Sequence, residues 1–144
     1  MPLQNAMNAA MRTALKLPVV SKFIGARLLT LYVVGRKSGR SYQVPVAYTP
    51  HDGDLLVGSP FAWGKNLRTG EPIEIQLQGK RRTADVRVVD DQAGVTELYS
   101  VIAKDNRNFA NFNHIGYTPD GDPDPRDLER AFAEGARVFV LSPQ

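Results

Sequence analysis

Two apolar runs, residues 27–34 and 41–49, are joined by only six residues, and that spacing constrains the fold more than any other feature of the chain. Parallel strands need a crossover of roughly a dozen residues or more, so a link this short imposes antiparallel pairing. The first run is apolar on both faces, which predicts an interior position in the sheet. In the second, Tyr42, Val44, Val46 and Tyr48 alternate with Gln43, Pro45, Ala47 and Thr49. Pro45 has no N–H for a ladder, so this strand needs a free or bulged edge. The pattern recurs downstream. HDGD turns the chain into a strand at residues 55–58. EPIEIQLQ sets Ile73, Ile75 and Leu77 on one face, and GKR returns it as Thr83–Val89, with Val86 and Val88 inward.

Helices interrupt the strands. Ser59 as N-cap, Pro60 at the first helical position and Gly70 beyond the end predict a short helix over roughly 60–69. Val95, Leu98, Tyr99 and Ile102 share a helical face, and Phe109 and Phe112 carry an apolar stripe on to Ile115. Asp124, Pro125 and Asp127 open a last helix that stops near Gly135, and ARVFVLSP closes the chain as a strand. About six strands with inserted helices make an α+β fold whose natural closure is a small barrel.

Residues 1–26 stand apart from this barrel region, 27–144. Leu3, Met7, Met11 and Leu15 form the stripe of an amphipathic helix that Pro18 ends. Packing on its own domain or on a partner subunit is one reading; a basic helix lying on a membrane surface is the other. Residues 1–51 carry seven Lys and Arg and no acid, whereas the rest carry eleven basic and fifteen acidic residues. Such asymmetry points to an anionic partner for the first third. There is no cysteine, no apolar run of membrane-spanning length and no secretory pattern, so a cytoplasmic protein is expected, with peripheral contact at the inner membrane face through the first helix as an extension.

The six-residue link, Gly35-Arg36-Lys37-Ser38-Gly39-Arg40, holds three positive charges between and beside two glycines. It matches neither a Walker loop nor a dinucleotide fingerprint. A glycine-flanked turn can instead expose several backbone N–H groups as an anion nest, with Arg36 and Arg40 adding bidentate contacts and Lys37 a point charge; a merely soluble hairpin is the plain alternative. The predicted helix start at Ser59 adds unpaired N–H groups. Beside it, Trp63 serves equally as a ring-stacking platform or as a helix anchor, while Phe61 reads as an anchor. His51 and His114 are too few for a histidine cluster, and Asp120, Asp122 and Asp124 lack the glycine and last carboxylate of a calcium loop. No nucleophile elbow exists, so a reaction here borrows its chemistry from a cofactor.

These residues resemble the deazaflavin-dependent nitroreductase family of split β-barrel proteins, within the wider superfamily that binds flavins and deazaflavins. Members show a G-R-[KR]-[ST]-G-x hairpin, a Gly- or Ser-containing strand end, a W-x-x-N-L segment and a proline-led β-hairpin. Here those are Gly35 to Arg40, Gly58-Ser59, Trp63 to Leu67 and Glu71-Pro72, and the likeness spans residues 27–142. The resemblance implies an FMN-binding-type split barrel carrying coenzyme F-420, with FMN the lesser expectation. By that analogy Arg36, Lys37, Ser38, Gly39 and Arg40 hold the phosphate and polyglutamate tail. Pro45, Gly58, Ser59, Ala62, Trp63, Lys65 and Asn66 line the phosphate linker and ring. Phe109, Phe112 and Tyr117 face the substrate, an electron-poor quinone, nitroaromatic or activated enone that receives a hydride. Tyr117 or His114 is a candidate proton donor, against a plain loop-packing role. Split barrels of this kind commonly dimerise, which gives Met7 and Met11 a partner.

Two other functions compete. A barrel that sequesters flavin, deazaflavin or haem without turnover would close residues 105–117 as an apolar wall over the ring. A nucleic-acid barrel would stack bases on Tyr32, Tyr42 and Tyr48, but the acidic remainder of the chain argues against nucleic acid.

Overall fold

The two runs that share the six-residue link pair antiparallel, Leu28 facing Ala47 through to Val34 facing Ser41. They are strands β1 (Leu28–Val34) and β2 (Ser41–Ala47) of a computed structural model that describes residues 27–144. β3 (Thr49–His51) and β4 (Asp54–Ser59) follow, then a 3₁₀ helix (Ala62–Asn66), β5 (Ile73–Leu77) and β6 (Lys80–Val89). Helices α1 (Gln92–Asp105), α2 (Arg107–Phe112) and α3 (Pro125–Ala133) lead to β7 (Arg137–Pro143). The expected first helix, with its membrane and dimer readings, lies outside the described residues.

The sheet order is β2-β1-β5-β6-β7-β4-β3. Its two edges, β2 and β3, are separated in sequence by Tyr48 alone, so the sheet must curl until those edges approach one another. The result is an antiparallel half-barrel with helices on one side, the α+β split barrel expected, with seven strands instead of six. The extra strand arises because the second run changes partner: residues up to Ala47 pair with β1, and Thr49 to His51 pair with β4. Pro45 falls on the edge strand, where its missing N–H costs no ladder bond.

Period-two alternation then makes two cores. Leu29, Leu31 and Val33 of β1, Val57 of β4 and Phe139 and Leu141 of β7 point into the barrel. Leu56, Val138 and Val140 point the other way, onto Val95, Tyr99 and Ile102 of α1 and Leu128 and Ala131 of α3. β7 lies between both cores, which is why Val138 to Leu141 are buried without a break.

Turn chemistry sets the strand ends. Asp52-Gly53 and Gln78-Gly79 both take positive φ at both positions, as two-residue hairpins require. The second turn starts β6 at Lys80, three residues before the expected Thr83. The Asp124 carboxylate caps α3, accepting from the Arg126 N–H at 2.9 Å, while Asp127 reaches to the Gly116 N–H instead of completing a capping box. The helix expected over 60–69 shrinks to five residues. Ser59 belongs to β4, and its hydroxyl accepts the Phe61 N–H at 3.0 Å, so it closes a turn and caps no helix. No helix among the described residues is long and apolar enough to cross a membrane.

Candidate functional site

Residues 35–40 form the tip between β1 and β2. The Gly35 N–H donates to the Arg40 carbonyl and the Gly39 N–H to the Gly35 carbonyl, both at 2.8 Å. Gly39 has φ 69°, a conformation that favours glycine. The Arg36 N–H donates to Asn66 Oδ1 at 3.0 Å and the Arg40 N–H to Ser38 Oγ at 3.2 Å. Four of the six amides are therefore engaged inside the protein, which reduces the expected backbone nest to the consecutive N–H groups of Lys37 and Ser38. Beyond these, the tip presents side chains: Arg36, Lys37, Ser38 and Arg40 are all exposed.

Asn66 holds this tip in place. While its carbonyl accepts from Arg36, its Nδ2 donates to the Tyr42 hydroxyl at 2.9 Å and to the Trp63 carbonyl at 3.1 Å. One side chain thus joins the tip, the edge strand and the 3₁₀ helix. Burial pushes the Tyr42 hydroxyl above its usual pKa, with the Asn66 bond acting in the opposite sense, so the phenol stays neutral.

Beside the tip lies a groove of about 520 Å³. Arg36, Arg68 and Arg81 line it with Glu71 and Glu74, and Tyr32, Leu67 and Ile73 add apolar surface. Arg36 forms an ion pair with Glu71. Arg81 lies over the Tyr32 ring, 4.0 Å from its centroid, and 3.7 Å from Glu74. Sequence reasoning missed Arg68, which follows the 3₁₀ helix, and Arg81, which only the folded hairpin β5–β6 brings to the same groove as Arg36. A second cavity of about 490 Å³ runs between α1 and α3, and its charged lining is Glu97 and Glu129 with no cation. Among the described residues no group of His, Asp or Glu is placed to hold a metal ion.

The other expected residues divide. Lys65 and Ala62 are exposed, and Pro45 is half-buried. At Gly58 an added Cβ would lie 2.8 Å from the Tyr99 ring and 3.0 Å from that of Phe109, so the glycine is demanded by aromatic packing. Trp63 is 3% exposed, its ring 5.2 Å from that of Phe139, and it anchors the 3₁₀ helix in the barrel. The open aromatic is Phe61, which was expected to be an anchor, while of the two readings of Trp63 its burial agrees with the anchor. Phe61 is 45% exposed and meets Phe112, 58% exposed, edge-on at 6.0 Å.

Phe109 packs edge-on against Tyr99 at 5.0 Å. Tyr117 donates its hydroxyl to the Ala103 carbonyl at 2.7 Å, and Arg107 lies over its ring, which is the loop-packing role. His114 is exposed with φ 57°, and its carbonyl accepts from Arg130 at 2.7 Å. Tyr48, one of three tyrosines a nucleic-acid surface would need, is a core residue at 5% exposure.

A family model described as F420H(2)-dependent quinone reductase matches residues 5–116. A search of the curated proteins finds no match. Among solved structures, an F420-H2 dependent reductase (FDR-A) aligns with TM-score 0.53 at 12% identity, covering 80% of this chain and 93% of that one. A pyridoxamine 5'-phosphate oxidase-related, FMN-binding protein from Nostoc punctiforme aligns with TM-score 0.55 at 16% identity, covering 94% and 78%. The haem storage protein HutZ from Vibrio cholerae aligns with TM-score 0.54 at 16% identity, covering 88% and 89%. At such identities the structural likenesses establish the split-barrel fold.

Proposed function

The chain belongs to the F420H2-dependent quinone reductase family and uses reduced coenzyme F-420, and from that premise we propose that it reduces an electron-poor acceptor, a quinone, nitroaromatic or activated enone. The observation that carries the site is the groove itself: Arg36 of the tip lines it together with Arg68 and Arg81, beside an apolar strip. That donor set suits a ligand with an apolar body and a phosphate- and carboxylate-bearing tail. When bound, the reduced deazaflavin supplies a hydride.

The chain's residues do the rest. Arg36 and Arg40 offer forked donors to phosphate or carboxylate, and Lys37 a point charge. Asn66 fixes the tip before any ligand arrives, which lowers the ordering cost of binding. The 3₁₀ helix rises about 2 Å per residue, so its Ala62 end, next to Phe61, sits about 8 Å from Asn66. There Phe61 and Phe112 offer an apolar surface to a flat acceptor and keep water from it. With the Tyr117 hydroxyl committed to Ala103, we assign the proton that completes reduction to solvent. Residues 105–117 do not form a closed apolar wall, since Arg107, Asn108, Asn111 and Phe112 are exposed, and this favours turnover over sequestration.

The test is a fluorescence titration with coenzyme F-420 and with FMN, on the wild type and on the triple variant Arg36→Ala, Lys37→Ala, Arg40→Ala. The expected result is deazaflavin binding that weakens at least about tenfold in the variant, each lost charge-assisted contact costing on the order of 1 kcal/mol or more. Equal binding by the variant would move the tail elsewhere. Failure of the folded wild type to bind the deazaflavin would overturn the reading.

A further inference from the structure

The groove read as an anion site already holds an anion. Arg36, the first cation of the tip, is paired with Glu71, which stands between the 3₁₀ helix and β5. The two partners are not equally held. Arg36 has its backbone N–H fixed by Asn66 and its side chain 31% exposed, whereas the Glu71 side chain is 57% exposed. Among the described residues the Glu71 carboxylate is held by Arg36 alone. The second acid of the groove differs. Glu74 stands 3.7 Å from Arg81, and its Oε1 also accepts from the Thr83 hydroxyl at 2.8 Å, so it keeps a partner if Arg81 leaves.

We propose that Glu71 is an internal competitor for the anion site: it occupies the Arg36 guanidinium in the ligand-free protein, and a phosphate or carboxylate binds there only by displacing it. This rests on the reading of the groove as the site of the coenzyme's anionic end. An exposed pair of this kind is weak, so Glu71 lowers affinity without closing the groove. A freed Glu71 can return to water, whereas a bare Arg36 would hold any anion that reached it. The device keeps the empty groove from retaining stray anions, and it speeds ligand release, where most tuning of affinity resides. An alternative role has the opposite sign. If Glu71 mainly orients Arg36 for the ligand, removing its charge weakens binding.

The experiment compares wild type, Glu71→Gln and Glu74→Gln in titrations with two probes, coenzyme F-420 and inorganic tripolyphosphate, at low and at high ionic strength. Glu71→Gln should bind both probes roughly two- to fivefold more tightly at low salt, the span expected for loss of an exposed ion pair. The difference should fade at high salt, where exposed charges are screened. Glu74→Gln should change affinity less. Unchanged or weaker binding by Glu71→Gln overturns the proposal, and so does an equal gain in Glu74→Gln, which would mean a general field and no competition at Arg36. If tripolyphosphate behaves as expected while the coenzyme binds neither protein, the competitor stands and the coenzyme assignment falls. If the coenzyme binds wild type and Glu71→Gln equally, the reverse holds. Binding of neither probe to any of the proteins removes both.

Discussion

The two ends of the 3₁₀ helix Ala62–Asn66 are built by opposite means. At the Asn66 end, one amide side chain makes three hydrogen bonds, to the Arg36 N–H, the Tyr42 hydroxyl and the Trp63 carbonyl, and the charged tip is fixed by them. At the other end, Phe61 and Phe112 meet edge-on, both largely exposed, through a contact that is apolar and weakly directional. The polar end is ordered before a ligand arrives; the apolar end can give way to differently shaped ones. Under the function proposed above, that division would hold the cofactor at the polar end and leave the apolar end for a flat acceptor. Trp63 lies between the two ends and roots both in the barrel.

Removing that root has the largest expected effect. Trp63→Ala empties a buried site against Phe139 and should cost about 3–5 kcal/mol, read from urea unfolding. A loss below about 1 kcal/mol would mean that the helix is held by its ends and not by its middle.

The ends can then be set against each other. Asn66→Ala leaves a partner of each of its hydrogen bonds unpaired and should cost about 1–3 kcal/mol. It should also weaken coenzyme binding several-fold, because the tip loses its anchor. The double variant Phe61→Ala, Phe112→Ala should stay within about 1 kcal/mol of wild type, since both side chains are exposed. Its expected signature is a raised KM for apolar acceptors with coenzyme affinity unchanged. Were the aromatic pair to carry coenzyme affinity and Asn66 none, the comparison would be inverted.

Much of this was legible in the sequence, and most of the failures share one cause. The strands follow from period-two patterns and short turns, signals contained within a few residues, and so does the charge of the tip. Tyr48 gave no local sign that its strand changes partner there, because the change depends on β4 arriving from beyond the Asp52-Gly53 turn. The nest is smaller than expected in part because Asn66, 30 residues away, takes the Arg36 N–H. Glu71, 35 residues from Arg36, was visible only as a step toward Pro72. Phe61, read as an anchor, is exposed because it precedes the short 3₁₀ helix in extended backbone, whereas Trp63 lies within the helix and faces the core.

The smallest effect probes what lies beneath the apolar end. Tyr99 is fully buried under Gly58 and Phe109, and among the described residues its hydroxyl has no hydrogen-bond partner. Burial pushes its pKa well above the usual tyrosine value, and the nearby positive charge of Arg137 offsets this only in part. The folded protein therefore keeps this proton more firmly than the unfolded chain does. Its contribution to stability is complete below the unfolded pKa of about 10 and is lost as pH rises toward the folded value. Tyr99→Phe removes both the orphan hydroxyl and the titration. At neutral pH it should be as stable as wild type or more so by up to about 1 kcal/mol, and it should lose less stability than wild type as pH rises above about 10. Denaturation midpoints across that range give the answer. A Tyr99→Phe protein destabilised by more than about 1 kcal/mol at neutral pH would show that the hydroxyl is satisfied in solution, and that the apolar end rests on a polar contact as the other end does.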